Sequence, residues 1–162
     1  MLNLPEVLLF FPAFFIGIYV CWTDMKFMRI PNNACLALLG SFLILGFLIF
    51  DLQEYGIRLA QGAVILALGF LVTSLGLVGG GDSKFAAVIA PFIALSHAFQ
   101  FIFIVAIISF ISLALHKLIA VTPVLRQHTE KWASWDPDGM FPFGITLAGS
   151  LIVYLFLVNF YS

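Results

Sequence analysis

Long uncharged runs dominate this chain and leave few options for its fold. Apolar windows extend over Leu4 to Trp22, Ala34 to Phe50, Ile57 to Val78, Phe85 to Leu115 and Phe141 to Phe160, and the fourth contains no Asp, Glu, Lys or Arg. A bilayer crossing needs about 20 such residues, because the hydrocarbon core is about 30 Å thick and an α-helix rises about 1.5 Å per residue. Only 9% of the 162 residues are charged and the mean hydropathy is +1.15, whereas roughly a quarter of a soluble domain is charged. The windows therefore read as the helices of an all-α polytopic membrane protein. Residues 1–162 form a single transmembrane domain on this reading, without room for a large soluble one.

The fourth window, 31 residues long, is too long for one upright crossing and short for two, and the basic residues decide between them. A fold-back near Ser96 and His97 gives six crossings and puts Lys26, Arg29, Lys84, Lys117, Arg126 and Lys131 in loops on one side. Arg58 alone falls opposite, in a connection that also carries Asp51 and Glu54. Excess Lys and Arg mark the cytoplasmic side, so both termini are expected outside. Helix 4 is then short, about Phe85 to Leu95, and interrupted by Pro91. The N-terminal stretch has Glu6 in place of a basic region and no small-residue cleavage site, so it reads as a retained first helix.

Several function classes drop out. The net charge of −1 offers no surface for nucleic acid. Cys21 and Cys35 form no C-x-x-C pair and imply neither metal nor disulfide. Nothing pairs His116 or His128 with a nucleophile, so a serine or cysteine mechanism is disfavoured and no cofactor is expected. The long polar connection from Lys117 to Met140, with "VLRQHTEKWASWDPDG" in it, suits an amphipathic segment at the headgroup level. Its acids Glu130, Asp136 and Asp138 would face the cytoplasm.

Of eight acids, Glu6, Asp51, Glu54, Glu130, Asp136 and Asp138 sit in loops or near the N-terminus; Asp24 and Asp82 remain, both at the cytoplasmic edge of the bundle. Asp82 follows Gly79, Gly80 and Gly81 and could be the N-cap of helix 4, but three glycines also open backbone for close approach of another chain. Asp24 closes helix 1, where the negative end of the helix dipole gives it no capping role. Pro31 stops that helix, and Asn32 or Asn33 can cap the next. Two such aspartates brought close share one proton: one activates water as general base while the other donates a hydrogen bond to a peptide carbonyl. The opposite helix ends put the proton on Asp24 and make Asp82 the base. Two other readings fit the same residues. One is a proton-coupled transporter or channel subunit that uses Asp24 and Asp82 as proton carriers; the other is an assembly subunit without chemistry.

The motifs carry a resemblance. Gly79-Gly80-Gly81-Asp82, followed by Ser83 and Lys84, matches the G-x-G-D motif of membrane aspartic proteases, and Asp24 followed after five residues by Ile30-Pro31-Asn32 resembles the D-x5-I-P-N turn of type IV prepilin peptidases. Pro142-Phe143-Gly144 is similar to a stretch before their last helix. Lacking C-x-x-C pairs, the chain is similar to the minimal tight-adherence (Flp) or preflagellin peptidases, and neither a zinc-binding nor a methyltransferase insert is implied. The resemblance implies an aspartic endopeptidase of a prokaryotic inner membrane that cuts leaders from pilin precursors on the cytoplasmic side. It implies Asp24 and Asp82 as the catalytic pair and a structural turn at Ile30, Pro31 and Asn32. The residues near the substrate would be Gly79, Gly80, Gly81, Lys84, Pro142 and Gly144. Its partners would be the bilayer and a precursor with a basic leader ahead of an apolar helix, with no cofactor and no metal.

Overall fold

A computed structural model of the chain describes residues 4–127, 129–135 and 141–160. The helices are α1 (Leu4–Phe27), α2 (Asn32–Ile49), α3 (Leu52–Ser74), α4 (Gly80–Ile89), α5 (Ala98–Val121), the single turn α6 (Pro123–Arg126) and α7 (Phe143–Phe160). Short 3-10 turns lie at Ala90–Phe92, Leu95–His97 and Ala133–Trp135. Among the described residues there is no strand, and five helices are long and apolar enough to cross a membrane. The protein is an all-α polytopic membrane protein. Asp136 and Asp138 lie outside the described residues, and so does His128.

Successive long segments alternate in direction. The start of α1 meets the end of α7, where Phe10 and Phe160 lie 6.0 Å apart between ring centroids. The end of α1 meets the start of α7, where the Gly144 N–H donates to the Asp24 carboxylate at 2.7 Å. Leu38, Phe42, Phe85, Phe92 and Leu151 fill the centre, so the core is built mainly by α1, α2, α4 and α7.

Three boundaries differ from the sequence expectation, each for a local reason. Helix α3 starts at Leu52 rather than near Ile57, because Asp51 caps it and accepts the Glu54 N–H at 2.8 Å. An acid read as loop is thus the start signal of a helix. Arg58, expected in that same outer connection, lies instead within α3 and is buried. Helix α4 starts at Gly80 and ends at Ile89. Gly79 holds the N-cap position and Asp82 sits within the first turn, so Asp82 is not the cap. Helix α2 begins at Asn32 itself with Pro31 before it; neither asparagine caps it, although Asn33 Oδ1 accepts the Ala34 N–H at 2.9 Å. Between α1 and α2 the chain reverses through Met28, whose φ of 52° is left-handed, with its N–H on the Asp24 carbonyl at 2.8 Å.

Helix α4 has ten residues, so at about 1.5 Å each it spans about half the hydrocarbon thickness. Inside lipid a helix cannot simply stop, because every freed carbonyl and N–H needs a partner. Side chains from α3 and α7 supply them. Arg58 Nη1 donates to the Pro91 carbonyl at 3.2 Å and Gln61 Nε2 to the Ala90 carbonyl at 3.1 Å. The Tyr154 hydroxyl accepts the Ala94 N–H at 3.1 Å. Arg58 is itself held by Glu54 one turn away, at 2.7 Å. At its other end α4 lies close against α3, where a Cβ on Gly69 would come within 2.9 Å of the Ser83 Cβ. Small residues at such a seam let helix backbones approach within the membrane, and there Thr73 Oγ1 and Ser83 Oγ hydrogen-bond at 2.8 Å.

Arg58→Met should therefore orphan the Pro91 carbonyl and cost about 1–3 kcal/mol. At about 2–4 °C per kcal/mol for a chain of this size, thermal unfolding in detergent should show the loss, and an unchanged midpoint would contradict this account of how α4 ends.

Candidate active site

The end of the bundle where α1 stops and α4 and α7 start encloses a cavity of about 1220 Å³. Asp24 and Asp82 both line it. Each carboxylate is positioned by its helix. Asp24 is buried, in the last turn of α1. Asp82 is half-buried, in the first turn of α4, and leans back over Gly79, where an added Cβ would stand 2.9 Å from its Oδ2.

What holds Asp24 is absent from the local sequence. Its Oδ2 accepts the N–H of Gly144 at the start of α7, 120 residues away in the chain. The first N–H groups of a helix have no partner within it and form its positive end, so α7 presents to Asp24 what α4 presents to Asp82. Each aspartate thus lies near the start of a helix, so helix ends alone no longer set the two apart, and what distinguishes them is the deeper burial of Asp24. Gly144 is buried, and a Cβ there would stand 2.7 Å from Asp24 Oδ2 and 2.9 Å from Ile30 Cδ1. Only a residue without a side chain lets α7 come this close.

The other residues singled out in the sequence divide by position. Gly79 and Gly80 are exposed on the cavity rim, Gly81 is half-buried beside Ile30, and Lys84 is exposed along α4. Pro142 is buried in the cavity wall. Ile30, Pro31 and Asn32 line the same cavity, with Ile30 packed under Gly81 at 3.7 Å from an added Cβ. Gly144 reaches the site as the partner of Asp24. Lys26, Arg29 and Lys131, which in the sequence mark membrane side, also line the cavity. Among the described residues no group of three or more His, Cys, Asp or Glu side chains comes together as a metal site, and Cys21 and Cys35 are free thiols.

The sequence model of the type IV leader peptidase family matches residues 9–115. The chain belongs to the type IV leader peptidase family. The match runs from α1 through most of α5 and includes both aspartates, the Ile30-Pro31-Asn32 turn and the glycines before Asp82. Pro142 and Gly144 lie beyond it. Comparison with curated proteins and with solved structures gives no match. Family and fold together make the chain an integral membrane peptidase of the leader-peptidase kind.

Gly144→Ala should force Asp24 and Ile30 aside and lower the unfolding midpoint in detergent, by about 2–4 °C for each kcal/mol lost. Gly81→Ala, with nothing nearer than 3.7 Å and a gain in helix propensity of about 1 kcal/mol, should not lower it. Equal effects of the two would contradict the seat described for Asp24.

Proposed function

We propose that this chain is an aspartic endopeptidase that removes the leader from prepilin-like precursors at the cytoplasmic face of a prokaryotic inner membrane. Both termini would lie outside and residues 1–162 would act as one peptidase domain. The observation that carries the proposal is the pair of aspartates from different helices in one open cavity at the end of an otherwise apolar bundle. Lys26, Arg29, Lys84 and Lys131 line the same cavity, and cations mark the cytoplasmic side, which supports that orientation.

In this reading the pair holds one proton between them. Asp82, the less buried, takes a proton from water, whose oxygen attacks the scissile carbonyl carbon. Asp24 has one carboxylate oxygen fixed by Gly144, so its other oxygen carries the shared proton and hydrogen-bonds the carbonyl oxygen as charge develops there. When the tetrahedral intermediate collapses, the C–N bond breaks and a proton passes to the leaving amine. The assignment of base and acid is the one expected from the sequence, but it rests on the deeper burial of Asp24 instead of helix ends, and the Gly144 contact decides only which oxygen of Asp24 is left to carry the proton.

Gly79, Gly80, Gly81 and Lys84 on one side, and Pro142 on the other, would border the unwound peptide, with Ile30-Pro31-Asn32 as the rigid turn beneath. The proton-carrier alternative needs polar residues along a path through the bundle. Between the aspartates and the far end the centre is filled by Leu38, Phe42, Phe85 and Phe92, which supports the peptidase.

Co-expression with pilin-like precursors encoded beside the gene, scored by mass, should show loss of a leader-sized fragment. Asp24→Asn and Asp82→Asn should each lower the rate by roughly a hundredfold or more while the protein still inserts. Substantial cleavage by either variant would sink the pair, and the activity should resist serine- and thiol-directed reagents.

A further inference from the structure

Between α2 and α3 the bundle is open on its side. The two helices are tied together at the end away from the aspartates, where Tyr55 stacks on Phe42 at 6.0 Å and its hydroxyl donates to the Leu43 carbonyl at 3.1 Å. The two helices otherwise touch little, and both pack on α4, which forms the floor of the gap between them. What remains is a groove of about 470 Å³, walled by Leu36 and Leu39 of α2 and by Leu59 and Leu66 of α3, with Ala87 and Val88 of α4 beneath. Leu36 is 68% exposed, so the groove faces the lipid.

Apart from Cys35, the polar residues of this groove are Asn32 and Lys84, and both also line the aspartate cavity. Groove and cavity therefore adjoin at Asn32 and Lys84. From Asn32 to Leu39 the wall of α2 rises about 10 Å, two helical turns. A peptide passing out of the cavity by this route goes from a polar, charged site directly into an apolar slot of helical length.

We propose that this groove seats the first turns of the substrate's own membrane helix, just beyond the bond to be cut. The proposal rests on the leader-peptidase reading. Helix association in lipid draws on close packing rather than on the hydrophobic effect, because acyl chains are as apolar as leucine. Ala63 and Ala87 keep the slot accessible to a helix backbone. A lipid chain would meet the same walls, but only a peptide gains from a groove that adjoins the cavity of Asp24 and Asp82. Seating the helix here fixes the distance from its start to the aspartates, so the slot measures which bond is presented.

The test places a photo-cross-linking residue at Leu36 or Ala63 in an Asp82→Asn chain, co-expressed with tagged pilin-like precursors, with Phe103 on the exposed face of α5 as the comparison site. Precursor adducts at Leu36 and Ala63 should exceed those at Phe103 by roughly tenfold. Adducts containing only lipid, adducts to a second copy of this chain, or equal capture at Phe103 would overturn the proposal. A second variant, Ala63→Trp, fills the slot without touching the aspartates. It should raise KM for the full precursor by about tenfold with kcat nearly unchanged, and leave cleavage of a water-soluble peptide lacking the membrane helix as in the wild type. Equal losses on both substrates, or none on the precursor, would also overturn it. If no precursor is cleaved by the wild type while Leu36 still captures one, the peptidase reading fails and the docking surface stands. Cleavage without capture in the groove leaves the peptidase standing and overturns the docking surface.

Discussion

Everything at the aspartate end depends on α4 being allowed to stop halfway through the membrane. A helix end in lipid leaves carbonyls that water cannot reach, each costing several kcal/mol if left alone. Arg58, Gln61 and Tyr154 take up the polar groups of Ala90, Pro91 and Ala94, and Glu54 keeps the Arg58 charge from standing unpaired. Those three side chains fix the lower end of α4, and its length then fixes the height of Asp82 at the upper end. Because the helix is short and pinned against α3, it lies between α2 and α3 as a wedge, which parts those helices.

Asp24 is fixed by a different device. Helix α1 alone would leave its carboxylate beside the carbonyl end of its own last turn, the less favourable end for negative charge. Packing of α7 against α1 brings the Gly144 N–H to within 2.7 Å, which offsets that disadvantage. The candidate site is thus a meeting of three helix ends: the last turn of α1 and the first turns of α4 and α7. Two of the three offer free N–H groups to an acid, and neither acid needs a side-chain cation as its partner.

Which features the sequence made legible follows from the range of the interactions. The apolar windows, the short fourth helix and the nearness of Asp24 and Asp82 to one end of the bundle come from local composition and from the side on which Lys and Arg fall. The start of α3 was equally local, since Asp51 and Glu54 stand three apart before an apolar run, the pattern of a capped helix; reading them as loop acids hid it and left Arg58 looking like an outlier. The seat of Asp24 was not legible, because its donor lies 120 residues away and is a backbone group of a glycine. Lys26, Arg29, Lys84 and Lys131 show a further limit. They are the residues a rule for membrane side would use and they also line the cavity, so their pattern in the sequence cannot separate topology from site.

Burial within the bundle is uneven in a way that bears on access. Along α7, Leu147, Ala148, Leu151, Tyr154 and Leu155 are all buried, and Asp24, Ser83 and Phe85 show the same for the ends of α1 and α4. Helix α5 buries only Ser112 and α3 only Arg58 and Gly62 among their described residues. The helices that carry the candidate site are therefore those the core holds most firmly, and the outer two face lipid over most of their length. Moving α1, α4 or α7 to admit a ligand would break up the packed centre around Phe85 and Leu151. Helix α3 touches α2 little, but it is tied to α4 along the Gly69–Ser83 seam and through Arg58 and Gln61, so the side of the bundle between α2 and α3 is open without α3 having to leave α4. The packed core thus holds the helix ends that carry Asp24 and Asp82, while the side between α2 and α3 is left open to lipid; geometry fixed in advance is the kind that serves chemistry.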